Sequence, residues 1–406
     1  MKVLLLTILM GATLFLQAQS LENFVREAQY HQKLQARDFQ IESTFAQEKA
    51  ALAWKDPQFS IGVGVLPVET RVGPQVLKMG VQQQIPFGSI QKAKRAEVSA
   101  VRQSLEEEKA LTYRQLRYEI GLAYLDASLT ERKIQVYKSF LEVNEQIRAD
   151  RVRNMQQKMG HYSDVLVVDR MIQQTQRSID QASNELQQHQ LRLTYWSGVE
   201  IDSMSELTTQ FEIELTFDTL FKSIDRSPAL LQIEAQKGLW EARQRLLTAS
   251  AWPGISVGLD YLINTVRADA DLPDNGQDAL IPKVGFTLPL SQSYYKGKRE
   301  SQQMEIAALE QMKTDQANWL HQQIQQALIA QKDAVEEYQF YNQQIRNTQE
   351  IIELIEIEIS SDHTRFLEYW DYQKQLLEYQ IKQIESIKKW HAAAFIIERI
   401  ENSSDE

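Results

Sequence analysis

The chain has 406 residues, of which 24% are charged, with a formal net charge of −11 at pH 7 and no cysteine. An acidic balance of this size argues against a nucleic-acid partner, because nucleic-acid-binding domains carry basic patches. Without cysteine the chain has no disulfide framework, no thiolate metal site and no cysteine to which a lipid could be attached.

The first segment has the pattern of a secretory signal peptide. Lys2 precedes an apolar run over 3–16, and the small or polar residues 17–20 follow it. The apolar run is too short to cross a bilayer, and a membrane anchor is the alternative interpretation. We expect residues 1–19 to be removed, so that the mature chain begins near Ser20. No later segment approaches eighteen consecutive apolar residues, and no transmembrane helix is predicted.

Proline and glycine are concentrated in two regions of the chain. The nine prolines lie at positions 57, 67, 74, 86, 228, 253, 273, 282 and 289. The stretches between Pro86 and Pro228 and after Pro289 are also poor in glycine and rich in Gln, Glu, Leu, Ala and Arg, which predicts long helices. The two proline-rich regions must therefore contain the non-helical structure.

Four segments in these regions change from a helical to an alternating pattern. Apolar and polar residues alternate over about 57–66, 76–86, 253–264 and 280–289. Alternation over about ten residues predicts strands of the length found in outer-membrane barrels. Lys78, Asp260 and Lys283 fall on the polar face, and we predict that they line a hydrated barrel lumen while the apolar face meets lipid. Two soluble hairpins packed on helices are the alternative interpretation.

The two strand regions are copies of one another, which indicates a tandem repeat. The sequence Pro-Gln-Phe-Ser-Ile-Gly-Val from Pro57 matches Pro-Gly-Ile-Ser-Val-Gly-Leu from Pro253, and 84–88 matches 287–291. Each half is predicted to contain a helix, two strands, a very long helix, a turn and a further helix. The fold class is therefore mainly α with a transmembrane β part, built from tandem αββαα repeats.

The repeats give the predicted domain boundaries. The first repeat covers 20–197, a linker covers 198–217, and the second repeat covers 218–403. Long helical hairpins are predicted over 89–197 and 292–403 within these repeats. Helices of this length cannot form compact domains alone, so we expect them to associate as coiled coils.

The second helix of the first hairpin carries a heptad seam. Its seam residues, spaced alternately by three and four, are Val165, Val168, Ile172, Thr175, Ile179, Ala182, Leu186, His189, Leu193 and Trp196. Such a repeat requires a partner helix along its whole length. We interpret His189 as a tolerated packing residue. The preceding helix, over 89–159, is predicted to be roughly 100 Å long at about 1.5 Å per residue, a distance like that across a periplasm.

The number of strands has a consequence for assembly. Four strands cannot close a membrane barrel, whose smallest known examples have about eight. Exposed strand edges are not tolerated in lipid. If the strands lie in lipid, the chain is therefore predicted to form oligomers. Antiparallel closure requires an even number of strands, which two or three copies both supply.

These features resemble the TolC outer-membrane efflux family. The resemblance is carried by the two αββαα halves, the strand that ends in Ile-Pro-Phe-Gly at 85–88, the hairpin segment 160–166 and the closing segment 193–198. It covers nearly the whole mature chain. It implies a homotrimer in which a twelve-strand β-barrel in the outer membrane is continuous with a twelve-helix α-barrel in the periplasm. It also implies two partners, a periplasmic adaptor (membrane fusion) protein and an inner-membrane pump of the resistance-nodulation-division (RND) or ABC class.

The first hairpin loop narrows the resemblance further. Residues 66–75 resemble a branch of the family common in Bacteroidetes, whose members accompany heavy-metal RND pumps. This suggests heavy-metal cation efflux, while drug efflux and type I protein secretion remain open. A periplasmic coiled-coil adaptor is a further alternative, but adaptors have β-domains flanking a single hairpin and no internal duplication.

No pattern of catalytic residues is evident in the sequence. It has no nucleophile–base pair, no glycine-rich phosphate loop and no paired carboxylates in a pocket pattern. The six histidines are scattered and include no H-x-x-x-H pair. We therefore predict that the protein is not an enzyme and needs no cofactor or metal.

The turns at 158–163 and 360–364 are predicted to form the periplasmic tips. Gly160 is expected to permit the chain reversal. In TolC-like proteins an acid near each tip helps to close the pore, and the matching positions are Asp164 in the first half and Arg365 with Glu368 in the second. Because Arg365 replaces the family's acid, we predict a mixed Asp164–Arg365 latch. Solvated tip charges are the alternative.

Overall fold

The computed structural model describes residues 20–157, 160–200, 211–213, 224–269, 273–359 and 364–401. The predicted signal peptide, residues 158–159 of the first turn, residues 360–363 of the second turn and most of the predicted linker lie outside these ranges. Helices and one sheet account for most of the described residues. None of the helices in these ranges has a segment long and apolar enough to cross a membrane.

Both halves contain the order helix, two strands, very long helix and further helix, and the first half begins with an additional short helix. The first half contains α1 (Leu21–Glu27), α2 (Gln32–Leu52), β1 (Gln58–Val68), β2 (Gln75–Ile85), α3 (Gly88–Gln156) and α4 (Tyr162–Ser197). The second half contains α5 (Pro228–Ser250), β3 (Gly254–Asn264), β4 (Ala279–Thr287), α6 (Gln292–Ile359) and α7 (Thr364–Ile400). β1 runs two residues further, and β4 ends two residues earlier, than the alternation predicts.

The long helices begin and end where the sequence changes. α3 has 69 residues and α6 has 68, and no proline interrupts either of them. α4 ends at Ser197, and the next residue, Gly198, has a left-handed φ of 75° and donates its N–H to the Thr194 carbonyl at 2.8 Å. Glycine is the residue that adopts this conformation without strain, so it ends the helix here.

The seam residues of α4 form the inward face of the helix. Every seam position is buried or partly buried, whereas the residues between them are mostly exposed. This confirms the heptad interpretation. Val168 and Met171 pack with Phe140 of α3 and with Phe366 and Trp370 of α7. The helix therefore has partners from both halves of the chain.

The four strands form one antiparallel sheet in the order β1-β2-β3-β4. β2 of the first half pairs with β3 of the second half from Gln75 to Ile85. In this register Gly80 lies opposite Asp260, and in the next strand pair Gly258 lies opposite Lys283. Because side chains alternate between the two faces of a sheet, the charged residues of the strands fall on one face.

The chain divides into two compact units. One contains the described residues within Met1–Gln35, Ala110–Pro228 and Ala317–Glu406, and the other contains those within Ala36–Lys109 and Ala229–Gln316. Neither unit corresponds to one of the predicted repeats, because each draws segments from both halves. Within the second unit, the pairing of β2 with β3 joins a strand of the first half to a strand of the second half.

The core of the first unit includes part of the predicted linker. Phe24 of α1, Tyr124 of α3 and Phe211 of the linker belong to one buried cluster. The Tyr124 and Phe211 ring centroids are 5.9 Å apart. The Glu212 carbonyl also accepts a hydrogen bond from His391 Nε2 of α7 at 2.9 Å. The described linker residues are therefore packed against the helices.

Candidate functional site

Three charged side chains meet on the polar face of the sheet. Oδ2 of Asp260 lies 2.8 Å from Lys78 Nζ, and Oδ1 lies 2.5 Å from Lys283 Nζ. Asp260 is only 5% exposed, whereas the side chain of Lys78 is 54% exposed. The sequence predicted that these residues share a face, and the structure brings them into direct contact. We call them the lysine–aspartate cluster.

Glycines leave the space that the cluster occupies. A Cβ at Gly80 would lie 2.5 Å from Asp260 Oδ1 and 2.7 Å from Ser60 Oγ. A Cβ at Gly258 would lie 2.7 Å from Cε of Lys283. Side-chain carbons do not approach other atoms this closely. The absence of side chains at these positions therefore lets the carboxylate and the lysine stem lie along the sheet.

Neutral polar groups continue the same face. Gln82 Nε2 donates a hydrogen bond to Ser256 Oγ at 2.6 Å, and Ser256 Oγ lies 3.3 Å from the Gly285 carbonyl, to which it donates. These bonds cross from β2 through β3 to β4. The face is thus polar across three strands and carries its charge in the cluster alone.

The opposite face of the sheet is apolar and exposed. Phe59 is 78% exposed and Val284 is 62% exposed. Other exposed apolar residues of the strands are Ile61, Val63, Val65, Val257, Leu259, Leu280 and Phe286. Soluble proteins rarely expose a contiguous apolar patch of more than a few hundred Å². In the part of the chain that the structure describes, no helix covers this face.

The two hairpin loops at one end of the sheet are joined by ion pairs. Arg71 of the β1–β2 loop pairs with Asp274 of the β3–β4 loop. Arg267 contacts Asp269 at 2.8 Å and Glu69 at 3.6 Å. Asp269 and Asp274 of the β3–β4 loop are therefore paired with arginines.

The first hairpin end depends on close packing at Gly160. Gly160 is not among the glycines with positive φ, so a left-handed backbone is not the reason for glycine here. A Cβ at this position would lie 3.3 Å from Asn154 Cβ and from the Met155 nitrogen. Glycine at this position lets the chain pass close to the last turn of α3, and its role in the chain reversal remains a prediction.

Asp164 is buried beside a cation of its own hairpin. It is 5% exposed in the first turn of α4, and the Ser163 hydroxyl donates a hydrogen bond to its Oδ1 at 3.3 Å. Burial lowers the pKa of Arg151 on α3, and the neighbouring Asp164 carboxylate partly offsets that effect. The Arg151 guanidinium also lies 4.0 Å from the ring centroid of Phe366 on α7. Arg151 thus connects this hairpin end to the other half of the chain.

The predicted Asp164–Arg365 latch remains a prediction. The side chain of Arg365 lies outside the described side chains, and Glu368 is exposed. The alternative of solvated charges does not fit Asp164, which is buried. Sequence reasoning missed Arg151, because no motif marks it. The only signal in the sequence was that Arg151 precedes the predicted turn and Asp164 follows it.

A hydrogen-bonded tyrosine joins the two helices of the second hairpin. Tyr369 of α7 donates to Glu356 Oε1 of α6 at 2.8 Å, and Gln373 Nε2 donates to the Tyr369 hydroxyl at 3.0 Å. Burial raises the pKa of Tyr369 to about 12, and the bond to Glu356 adds to this effect. Tyr369 therefore stays protonated and acts as a fixed donor.

His189 has a different environment from the one predicted. It lies on the seam, but its Nδ1 is 3.9 Å from Asp126 Oδ2 of α3. Arg192 and Lys388 also approach Asp126, at 3.7 Å and 2.7 Å. The interpretation of His189 as a packing residue is therefore incomplete, because it borders a partly buried ion cluster. Among the described residues, no group of His, Asp and Glu is arranged to hold a metal.

Solved structures of outer-membrane channels are similar to the chain over nearly its whole length. The channel OprN has a TM-score of 0.73 at 14% identity, covering 94% of this chain and 89% of that chain. CmeC of Campylobacter jejuni has a TM-score of 0.72 at 12% identity, covering 95% and 87%. VceC of Vibrio cholerae has a TM-score of 0.70 at 12% identity, covering 94% and 95%. No family model and no curated protein matches the sequence. The chain therefore has the fold of these channels.

Proposed function

We propose that the chain is the outer-membrane channel of a tripartite efflux system. The observation that carries this proposal is the two-faced sheet. One face exposes large apolar side chains such as Phe59 and Val284, and the other holds Lys78, Asp260 and Lys283. Lipid suits the first face and water the second, as in a membrane barrel with a hydrated lumen. The fold shared with outer-membrane channels supports the same conclusion.

The sheet must close by association of several copies. In the order of the described strands, β1 and β4 each have one edge without a partner strand. Backbone groups on such an edge cannot remain unpaired in lipid. A homotrimer supplies twelve strands, and its helices form a tunnel of twelve in the periplasm. A soluble hairpin protein would instead have to cover the apolar face.

The proposed partners follow from this placement. The hairpin ends with Gly160, Asp164, Arg365 and Glu368 face the periplasm and meet an adaptor protein, which connects them to an inner-membrane RND or ABC pump. The channel itself is a passive conduit without catalytic groups. Heavy-metal efflux is a hypothesis that rests on the loop at 66–75. Drug efflux and type I secretion are the competing hypotheses.

Cysteine labelling tests the assignment of the two faces. The chain has no native cysteine, so each introduced thiol is the only one. Lys283→Cys should react with a membrane-impermeant thiol reagent in cells, whereas Phe286→Cys and Val257→Cys on the opposite face should not. The reverse pattern would show that the faces are inverted. If none of the three variants is labelled in intact cells, the proposal of a hydrated lumen is contradicted.

The cargo can be identified in a deletion strain. If the channel serves a heavy-metal pump, loss of the gene should sensitise cells to metal salts and leave antibiotic resistance unchanged. Sensitivity to drugs, or loss of a secreted protein from the medium, would assign one of the competing hypotheses instead. Complementation with the full chain is the control.

A further inference from the structure

The lysine–aspartate cluster contains every charged residue of the four strands. No other Asp, Glu, Lys or Arg occurs within β1, β2, β3 or β4. Two ammonium groups and one carboxylate leave one net positive charge per chain. We propose that the cluster is a fixed basic band in the wall of the conduit, which favours anionic over cationic solutes. This inference rests on the proposed channel function.

The geometry makes the positive charge the exposed part of the cluster. Both oxygens of Asp260 contact ammonium groups, and the residue is nearly buried. The side chains of Lys78 and Lys283 are 54% and 33% exposed. A solute that passes this face therefore meets ammonium groups, while the carboxylate is covered by them.

The neighbouring glycines hold these charges against the wall. The stem of Lys283 lies across Gly258, where a Cβ would be 2.7 Å from Cε and 3.1 Å from Cγ. The carboxylate of Asp260 lies across Gly80 in the same way. The charged groups are thus drawn along the sheet instead of projecting from it. The band can set an electrostatic preference without narrowing the passage.

Two acids of the β3–β4 loop are engaged elsewhere. Asp278 Oδ2 accepts a hydrogen bond from the Tyr261 hydroxyl at 2.5 Å, and its Oδ1 accepts one from the Asn264 backbone N–H at 3.1 Å. Asp274 pairs with Arg71 of the adjacent loop. These carboxylates therefore do not neutralise the two lysines of the cluster.

The range of the band follows from screening. At physiological ionic strength a charge acts over about 8 Å, so the band influences solutes close to the wall and acts most strongly in low salt. Three copies place the same charge at one level of the barrel. Organic anions are the favoured class, and free metal cations are opposed. The inference therefore weighs against the heavy-metal hypothesis.

A reporter thiol beside the cluster measures its potential. Gly62 lies opposite Lys78 in the strand register, and a Cβ there meets no atom within 4 Å. Gly62→Cys should react with both an anionic sulfonatoethyl and a cationic trimethylammonioethyl methanethiosulfonate reagent. The rate ratio of the anionic to the cationic reagent is the measurement, made on the full-length channel in proteoliposomes at low and at physiological salt.

Removal of one positive charge should change this ratio. Lys78→Gln leaves the Asp260–Lys283 pair intact, and we expect the ratio to fall about threefold to tenfold in low salt. Asp260→Asn should move the ratio in the opposite direction. Lys296→Gln, at an exposed lysine in the first turns of α6, should leave it unchanged.

The outcomes separate the inference from the proposed function. If Gly62→Cys reacts with both reagents and Lys78→Gln and Asp260→Asn leave the ratio unchanged, the basic band is excluded and the channel remains. If Gly62→Cys reacts with neither reagent, this face is not an aqueous lumen, and both proposals are contradicted. Opposite changes in the two variants, reduced at high salt, support the band.

Discussion

Gly80 lies directly opposite Asp260 in the β2–β3 register, and a Cβ at Gly80 would lie 2.5 Å from the Asp260 carboxylate. The pairing of β2 with β3 joins the two halves of the chain. The short distance to Asp260 explains why position 80 of β2 is a glycine. A substitution at Gly80 therefore tests whether the lysine–aspartate cluster can move to make room for a side chain.

Gly80→Ala should destabilise the sheet. The added methyl group must displace the Asp260 carboxylate or the Ser60 hydroxyl, and overpacking of this kind costs about 1–3 kcal/mol. We expect the oligomer to dissociate at a lower temperature on semi-native gels. Gly62→Ala is the matched control on the same face, because a Cβ there meets no atom within 4 Å. Equal behaviour of the two variants would mean that the cluster is free to move.

Arg151→Gln should loosen the first hairpin end. The guanidinium interacts electrostatically with buried Asp164 and lies over the Phe366 ring. Loss of the cation–π contact alone costs about 0.5–2 kcal/mol. If the tips close the conduit, single-channel conductance and entry of bulky antibiotics should rise. Arg153→Gln is the control, because Arg153 is exposed and pairs only locally with Asp150. An unchanged conductance for Arg151→Gln would show that Arg151 does not contribute to closure of the conduit.

The Asp164–Arg365 latch makes a separate prediction. Arg365→Asp should raise conductance, and Asp164→Arg in the same chain should partly restore closure, because the exchanged charges attract again. Three symmetric copies of the pair bias a conduit whose states differ by a few kcal/mol. The measurement is the single-channel conductance of both variants in planar bilayers. If the double variant is no more closed than the single one, the latch does not exist.

The ion cluster around His189 predicts a dependence of stability on pH. Burial lowers the pKa of His189 from its ordinary value of 6.5, although Asp126 partly opposes this and Lys388 and Arg192 add to it. The folded state therefore binds a proton less readily than the unfolded state. The free energy of unfolding should fall as the pH drops below about 6.5. His189→Gln should show a shallower fall in melting temperature between pH 7 and pH 5.

A control distinguishes this histidine from the others. His161→Gln changes an exposed residue at the hairpin end and should retain the wild-type dependence on pH. If the melting temperatures of His189→Gln and the wild type change equally with pH, protonation of His189 does not affect the stability of the fold. Thermal unfolding followed by circular dichroism is the measurement for all three proteins.

Local patterns in the sequence predicted the elements of the fold. Alternation is a property of neighbouring residues, so it placed Lys78 and Lys283 on polar faces before any pairing was known. The heptad spacing of α4 likewise identified its buried side, including Val168. Both signals have a period set by the geometry of a single strand or helix, and tertiary structure does not change it.

Contacts between distant segments were beyond such patterns. The sequence did not indicate that β2 pairs with β3, because register depends on two segments from different halves. The electrostatic interaction of Arg151 with Asp164 and its contact with the Phe366 ring were missed for the same reason. Gly160 was predicted to permit the chain reversal, but its close approach to Asn154 could not be inferred from the sequence. Such relationships arise only when the helices pack.

The native mass and cellular location of the full-length protein test the central claim most directly. Intact mature protein should be recovered from the outer membrane in detergent, and native mass spectrometry should show three copies, because the four strands of one chain cannot close a barrel. Recovery of the chain as a soluble periplasmic monomer would contradict the account.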